Sequence, residues 1–351
     1  MRAAADPLNR FARPLDAAGV GLVALTVAWA MLVSGSSGGS ALPFVSLIIA
    51  VTVGIGLARW LEARLIRSVP FLVVCGAGGF FVLAWLGSDR WGDPLGYTNA
   101  SAGLAVQAMI AALMLAVPAS PLLIRIVGVI GVLLFGMTPF ILDARTSAFL
   151  VLAIVLASGV GWALRWPRRW IAVAAILLLV TLATTIGLGL SGSGKPDSIT
   201  ARVVDASLTQ ARVDLWHDAL DIVSDHPTMG VGWGGFATTS PIARSDEDRR
   251  YAHNEFLQVA AESGIPGALL VVLVFAWGFD RIYVASSPDA MALLGAIALA
   301  AVGVSASVDY VLRFPAVGVT AAILVGAAQA GRLTSSTRKR TFQPVRSEIP
   351  A

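Results

Sequence analysis

Residues 169–190 read RWIAVAAILLLVTLATTIGLGL, and between Trp170 and Leu190 there is no charged side chain. A helix rises about 1.5 Å per residue, so such a run covers the roughly 30 Å of a bilayer's hydrocarbon core. The rest of the chain repeats this pattern. Apolar runs of similar length lie at 17–35, 41–58, 69–87, 100–117, 120–141, 146–164, 265–284, 290–308 and 314–331, which with 169–190 makes ten expected spans. Only Pro118–Pro121 separates the fourth from the fifth, as in a tight helical hairpin. The first run is long and no small-residue cleavage site follows it before the second, so it reads as a span. Composition agrees: 57% of the 351 residues are hydrophobic and 13% charged, against about 25% charged in a soluble domain. Mean hydropathy is +0.79. The expected fold is all-α: a polytopic membrane helical bundle of about ten transmembrane helices.

The expected organisation is an N-terminal bundle of about seven spans (1–190), a largely helical loop (191–264), a C-terminal bundle of about three spans (265–331) and a basic tail (332–351). A cytoplasmic N-terminus puts Arg2, Arg10, Arg13, Arg59, Arg64, Arg67, Arg165, Arg168, Arg169 and the tail's Arg338-Lys339-Arg340 inside. The short outer loops keep only Arg90, Arg145 and Arg313. That asymmetry is the positive-inside pattern, so both termini are expected in the cytoplasm and the long loop outside it.

The spans hold almost no ionisable residue; Arg125 sits near an inner end, where its head can reach the interface. Ion-coupled transporters bury carboxylates at mid-membrane, and none is found there. The outer face collects Asp89, Arg90, Asp143, Arg145, Arg212, His253, Asp309 and Arg313. Such residues often just mark helix ends, but arginine is disfavoured in short outer loops, so something should hold these there.

Two segments of the loop imitate nucleotide sites. Gly189, Gly194 and Lys195 have P-loop spacing, but Pro196 stands where Ser or Thr should follow; 191–199 reads as a linker. Gly230-Val-Gly232-Trp-Gly234-Gly235 lacks the preceding strand of a dinucleotide fingerprint and reads as a turn where backbone approaches a neighbour or ligand. A helix is expected at about Ala206–Ser224, with Leu208, Ala211, Leu215, Ala219 and Ile222 on one face and Arg212 and Trp216 one turn apart beside it. A second is expected to begin near His253 and run to Gly264, with Pro266 opening the next span. His217 and His226 read as surface residues. The lone cysteine, Cys75, lies in an apolar run and reads as core, so no disulfide forms within the chain. Asn99-Ala-Ser101 matches a glycosylation acceptor by chance.

In order, Arg212-x-x-x-Trp216, Pro227-x-x-Gly230-x-Gly232, His253-Asn254-x-x-Leu257 and Glu262-x-Gly264-x-x-Gly267 resemble the loop of the O-antigen ligase and polymerase superfamily. Gly96-Tyr97-Thr98-Asn99-Ala100, Asp143-Ala144-Arg145-Thr146 and Asp309-x-x-x-Arg313-Phe314-Pro315 resemble further family elements, with Ala144 where serine is usual. The resemblance covers most of the chain after about residue 88. It implies a glycosyltransferase of the bacterial plasma membrane. The donor is a polyprenyl-pyrophosphate-linked glycan, and the acceptor hydroxyl belongs to a glycan, lipid or cell-wall component outside the cytoplasm. In that reading His253, Arg212 and Asp309 are catalytic: His253 takes the acceptor proton, and Asp309 orients a base or a sugar hydroxyl. Arg145, Arg313, Arg90, Asn99, Trp216 and Asn254 bind substrate. No cluster has metal-ligand spacing and the donor is already activated, so no cofactor is expected, although Mg²⁺ held by one carboxylate and the phosphates would leave no such spacing. Membrane lipids are expected partners and nucleic acid is not. A polymerase remains open, as does a transporter whose arginines only grip phosphate.

Overall fold

A computed structural model describes residues 9–65, 67–87, 94–118, 120–164, 167–191, 210–246, 249–285 and 290–341. The elements in chain order are α1 (Asn9–Ser37), α2 (Leu42–Arg64), α3 (Ser68–Gly87), α4 (Thr98–Ala116), α5 (Leu122–Ile141), α6 (Arg145–Leu164) and α7 (Pro167–Ser191). The loop carries α8 (Gln210–Asp225), α9 (Phe236–Thr239) and α10 (Pro241–Ser245). Then come α11 (Glu255–Ala285), α12 (Ala290–Val308), a 3-10 turn (Val311–Arg313) and α13 (Pro315–Thr341). No strand occurs among the described residues. The protein is a multi-pass helical membrane bundle.

Eight of these helices are long and apolar enough to cross a membrane; the apolar stretches Arg145–Val160 and Pro315–Ala330 are shorter. All ten lie where the sequence puts them. α13, however, stays helical to Thr341, ten residues beyond the expected end of its span at 331. Arg338, Lys339 and Arg340 are good helix formers, and cations suit a helix C-terminus.

The sequence does not show which spans are central, because every span is apolar all round. Small residues decide it. α4 (TNASAGLAVQAMIAALMLA) and α12 (AMALLGAIALAAVGVSASV) are buried along nearly their whole length. Without a hydrophobic drive between helices in lipid, close backbone approach is what favours packing, and Ala, Gly and Ser permit it. Met109, Ile110, Met114 and Leu115 of α4 meet Leu293, Leu294 and Ile297 of α12 in the largest core cluster. Around this pair, α2, α3, α5, α6 and α7 turn large side chains outward, among them Leu83, Leu123, Leu156 and Leu179. An apolar surface of that extent belongs against lipid tails. Cys75, expected in the core, is exposed on this outer surface.

α8 docks on the bundle through the predicted stripe. Leu215, Trp216, Ala219 and Ile222 are buried with Phe236, Ala252, Leu257 and Ala261. Residues 192–209 lie outside the described residues, and with them the expected first turn of this helix.

Candidate functional site

The N-terminal ends of α4, α8 and α11 and the C-terminal end of α12 converge on one carboxylate. Asp309 follows α12 directly and is 3% exposed. Its Oδ1 accepts from His253 Nδ1 at 3.1 Å, the Tyr97 hydroxyl at 2.7 Å and its neighbour Tyr310's backbone N–H at 2.8 Å. Its Oδ2 accepts from Asn99 Nδ2 at 2.5 Å, Arg212 Nη2 at 3.1 Å and the same Tyr97 hydroxyl at 2.8 Å. A carboxylate has about four lone-pair sites, and five donor groups occupy them. The hydrogen-bonding capacity of Asp309 is therefore filled by the protein's own groups.

Burial alone would raise the Asp309 pKa; the His253 hydrogen bond and the positive charge of Arg212 outweigh it and hold the carboxyl below its usual 3.8. Tyr97 is pushed upward by burial and by the adjacent Asp309 charge, so its hydroxyl stays a donor. Since the carboxylate is ionised, His253 Nδ1 must carry a proton to donate. In the neutral imidazole this leaves the lone pair on Nε2.

His253 itself lies two residues before Glu255, where the helix expected near it begins. It stands just before α11 with a φ of 48°, in the left-handed region that non-glycine residues rarely occupy. Such a conformation persists only where surroundings over-determine it. Here Trp216 Nε1 donates to the His253 carbonyl at 3.3 Å, and the Tyr310 ring meets the imidazole edge-on, 4.8 Å between centroids.

Trp216 and Asn254, both expected to touch substrate, are 0% exposed. Asn254 Oδ1 accepts from the Phe256 and Leu257 backbone N–H groups, capping α11, and its Nδ2 donates to Thr185 Oγ1 on α7. Their polar atoms are engaged within the protein: Trp216 bonds the His253 carbonyl, and Asn254 caps α11 and ties its start to α7. The other expected binders divide. Arg212 is part of the cluster, and its Nη1 also donates to the Val308 carbonyl at 3.0 Å. Asn99 is part of it too. Arg145 starts α6 on the exposed rim of a separate cavity of about 310 Å³ with Pro139, Phe140, Asp143 and Phe149. Arg313 lies over the Tyr251 ring at 4.2 Å and faces Glu262 at 3.8 Å. Arg90 lies outside the described residues.

The sequence reading quoted Tyr97 only as part of a motif and gave Tyr251 and Tyr310 no role. Tyr97 stacks on Tyr310 at 4.6 Å and on Phe314 at 5.5 Å, and Tyr251 packs on Tyr310 at 4.8 Å. These rings form one wall of the site. No periodicity announces them, because each comes from a short connection. The glycine turn, by contrast, is as expected. Gly230, Gly232 and Gly234 all have positive φ, Trp233 Nε1 donates to the Ala30 carbonyl, and its ring stacks on Phe44. The turn is a structural plug against α1 and α2. Among the described residues, no three His, Cys, Asp or Glu side chains gather as a metal site would.

Residues 130–272 match the family model described as O-antigen ligase. The matched stretch runs from α5 through the loop into α11 and contains Arg145, Arg212, Trp216, His253, Asn254 and Glu262. Asn99, Asp309 and Arg313 lie outside it. No curated protein matches the chain.

Proposed function

We propose that this chain, a membrane protein of the O-antigen ligase superfamily, moves a glycan from a polyprenyl-pyrophosphate carrier to a hydroxyl acceptor on the outer face of the bacterial plasma membrane. The family's members are ligases and polymerases that act on lipid-linked glycans. The acceptor oxygen attacks the anomeric carbon of the donor sugar, and the bond from that carbon to the pyrophosphate oxygen breaks. The acceptor proton passes to His253 Nε2, and the leaving carrier keeps the electron pair as a pyrophosphate anion. Asp309 fixes the imidazole tautomer and steadies the imidazolium that forms. Arg212, oriented by Val308 and Asp309, meets charge developing on the leaving group. Arginine suits a pyrophosphate because its planar fork donates paired hydrogen bonds. Arg145 binds the donor from the rim of its own cavity, and Asn99 helps set the carboxylate. The activated leaving group is already in the donor, so this reading calls on no nucleotide and no metal.

The observation that carries the proposal is the contact of His253 and Arg212 with Asp309, three residues from distant parts of the chain that meet where the ends of four helices converge. A ligase and a polymerase share this chemistry and differ in the acceptor. A transporter gripping phosphate would need the arginines but has no use for an imidazole held by a carboxylate. In the proposed topology both termini are cytoplasmic, the loop 191–264 lies outside between bundles 1–190 and 265–331, and the tail 332–351 lies inside.

The test is a pair of substitutions at His253. General-base help is worth about 10²–10⁴-fold, so His253→Ala should lose most transfer while donor binding stays largely intact. His253→Gln keeps a hydrogen bond to Asp309 but cannot take a full proton, and should fail almost as badly. Activity restored by glutamine would mean that the histidine only positions a substrate.

A further inference from the structure

A second buried carboxylate, which the mechanism above does not use, grips the chain beside His253. Glu262 sits two turns into α11 and is 2% exposed. It accepts from Gln258 Nε2 at 2.6 Å and from the backbone N–H groups of Gly234 and Phe236, and it faces Arg313 at 3.8 Å. Two of these contacts lead back to the catalytic loop. The amide oxygen of Gln258, itself 2% exposed, accepts from the Ala252 backbone N–H at 2.7 Å. Arg313 covers the ring of Tyr251. Residues 251, 252 and 253 are therefore held one by one, the first two through Glu262 and the third through Asp309.

We infer that Glu262, acting through Gln258 and Arg313, is a positioning residue that sets His253 for proton transfer. Three observations require such a device. His253 is in the left-handed region, and its own ring hydrogen bond cannot fix the backbone that precedes it. Gln258 has its amide fully used, with oxygen to Ala252 and nitrogen to Glu262, so its orientation is fixed at both ends. The helix bearing Glu262 is itself locked: Gly264 breaks it with a φ of 74°, where a side chain would collide with the Thr228 carbonyl, and the glycine turn bonds to α11 through Val231 N–H to the Ala261 carbonyl and Gly232 N–H to the Glu262 carbonyl. The carboxylate thus ties the position of His253 to the glycine turn that is bonded to α11. Arg313 belongs to this framework, paired with Glu262 and stacked on Tyr251, and does not serve as a pyrophosphate ligand.

The inference rests on His253 being the base, and the experiment separates the two. Gln258→Leu cuts the Ala252 arm alone and leaves Glu262 its other partners; Glu262→Gln disturbs the whole hub. Deuterium uptake is followed by mass spectrometry in the full-length protein, and transfer kinetics are measured in parallel. In Gln258→Leu, uptake should rise in 249–254 and stay unchanged in 230–236. The maximal rate should fall about tenfold or more, since a displacement of about 1 Å at a reacting group can cost about 10²-fold. The donor KM should stay within about threefold. Glu262→Gln should raise uptake in both segments. Unchanged uptake in 249–254 overturns the brace, and raised uptake with an unchanged maximal rate overturns its catalytic role. Failure of the base reading shows elsewhere, as a His253→Ala protein that keeps its maximal rate.

Discussion

At the scale of single residues, the account turns on which polar atoms are already engaged. Arg212 uses two guanidinium nitrogens on Val308 and Asp309, and this aims the rest of the fork. Arg212→Lys keeps the charge but cannot hold both partners in one plane. Membrane insertion should be normal and the transfer rate should fall about 10²-fold, the order seen when one preorganised donor to a developing anion is lost. A near-normal rate would mean that a point charge suffices. His253 and Arg212 were legible from the sequence because their spacing to Trp216, Asn254 and Glu262 forms a motif. The jobs of Asn254 and Trp216 were not, because sequence cannot tell a polar atom facing a ligand from one facing its own backbone. The contact of Arg313 with Glu262 is hidden for the same reason: the two lie 51 positions apart.

At the scale of elements, periodicity and punctuation did well where an element had one wet face. α8 appears through its Leu215, Ala219 and Ile222 stripe, and Pro227 follows its end. The break in α11 was readable from Gly264 and Pro266. The sequence places the start of α11 near His253 and the helix begins two residues later, at Glu255, because a histidine before an asparagine suits a helix start as well as it suits a strained residue before one. The cap that decides it is Asn254, whose side-chain oxygen takes the N–H groups of the first turn. The short helices α9 and α10 were missed, since four or five residues hold no repeat. Within the membrane, hydropathy sets the lengths of the spans but not their partners. The burial of α4 and α12 follows from their small residues, a signal of packing that hydropathy does not carry.

At the scale of the whole molecule, span count and positive-inside asymmetry lead to a site on the outer face, because the ends of α4, α8, α11 and α12 that meet at Asp309 all belong to that face in the proposed topology. Reporter fusions after Arg67, Arg169 and Arg340 should read as cytoplasmic, and fusions near Asp93 and Lys195 as external. A cytoplasmic Lys195 would put the site on the side away from the exported glycan. The central claim is transfer itself. Purified protein in proteoliposomes should pass label from a polyprenyl-pyrophosphate-linked glycan to a hydroxyl acceptor, or to a second carrier-linked chain, with chelator present and nucleotide absent. Label that never leaves the carrier, or that moves equally well with the His253→Ala protein, would contradict the account.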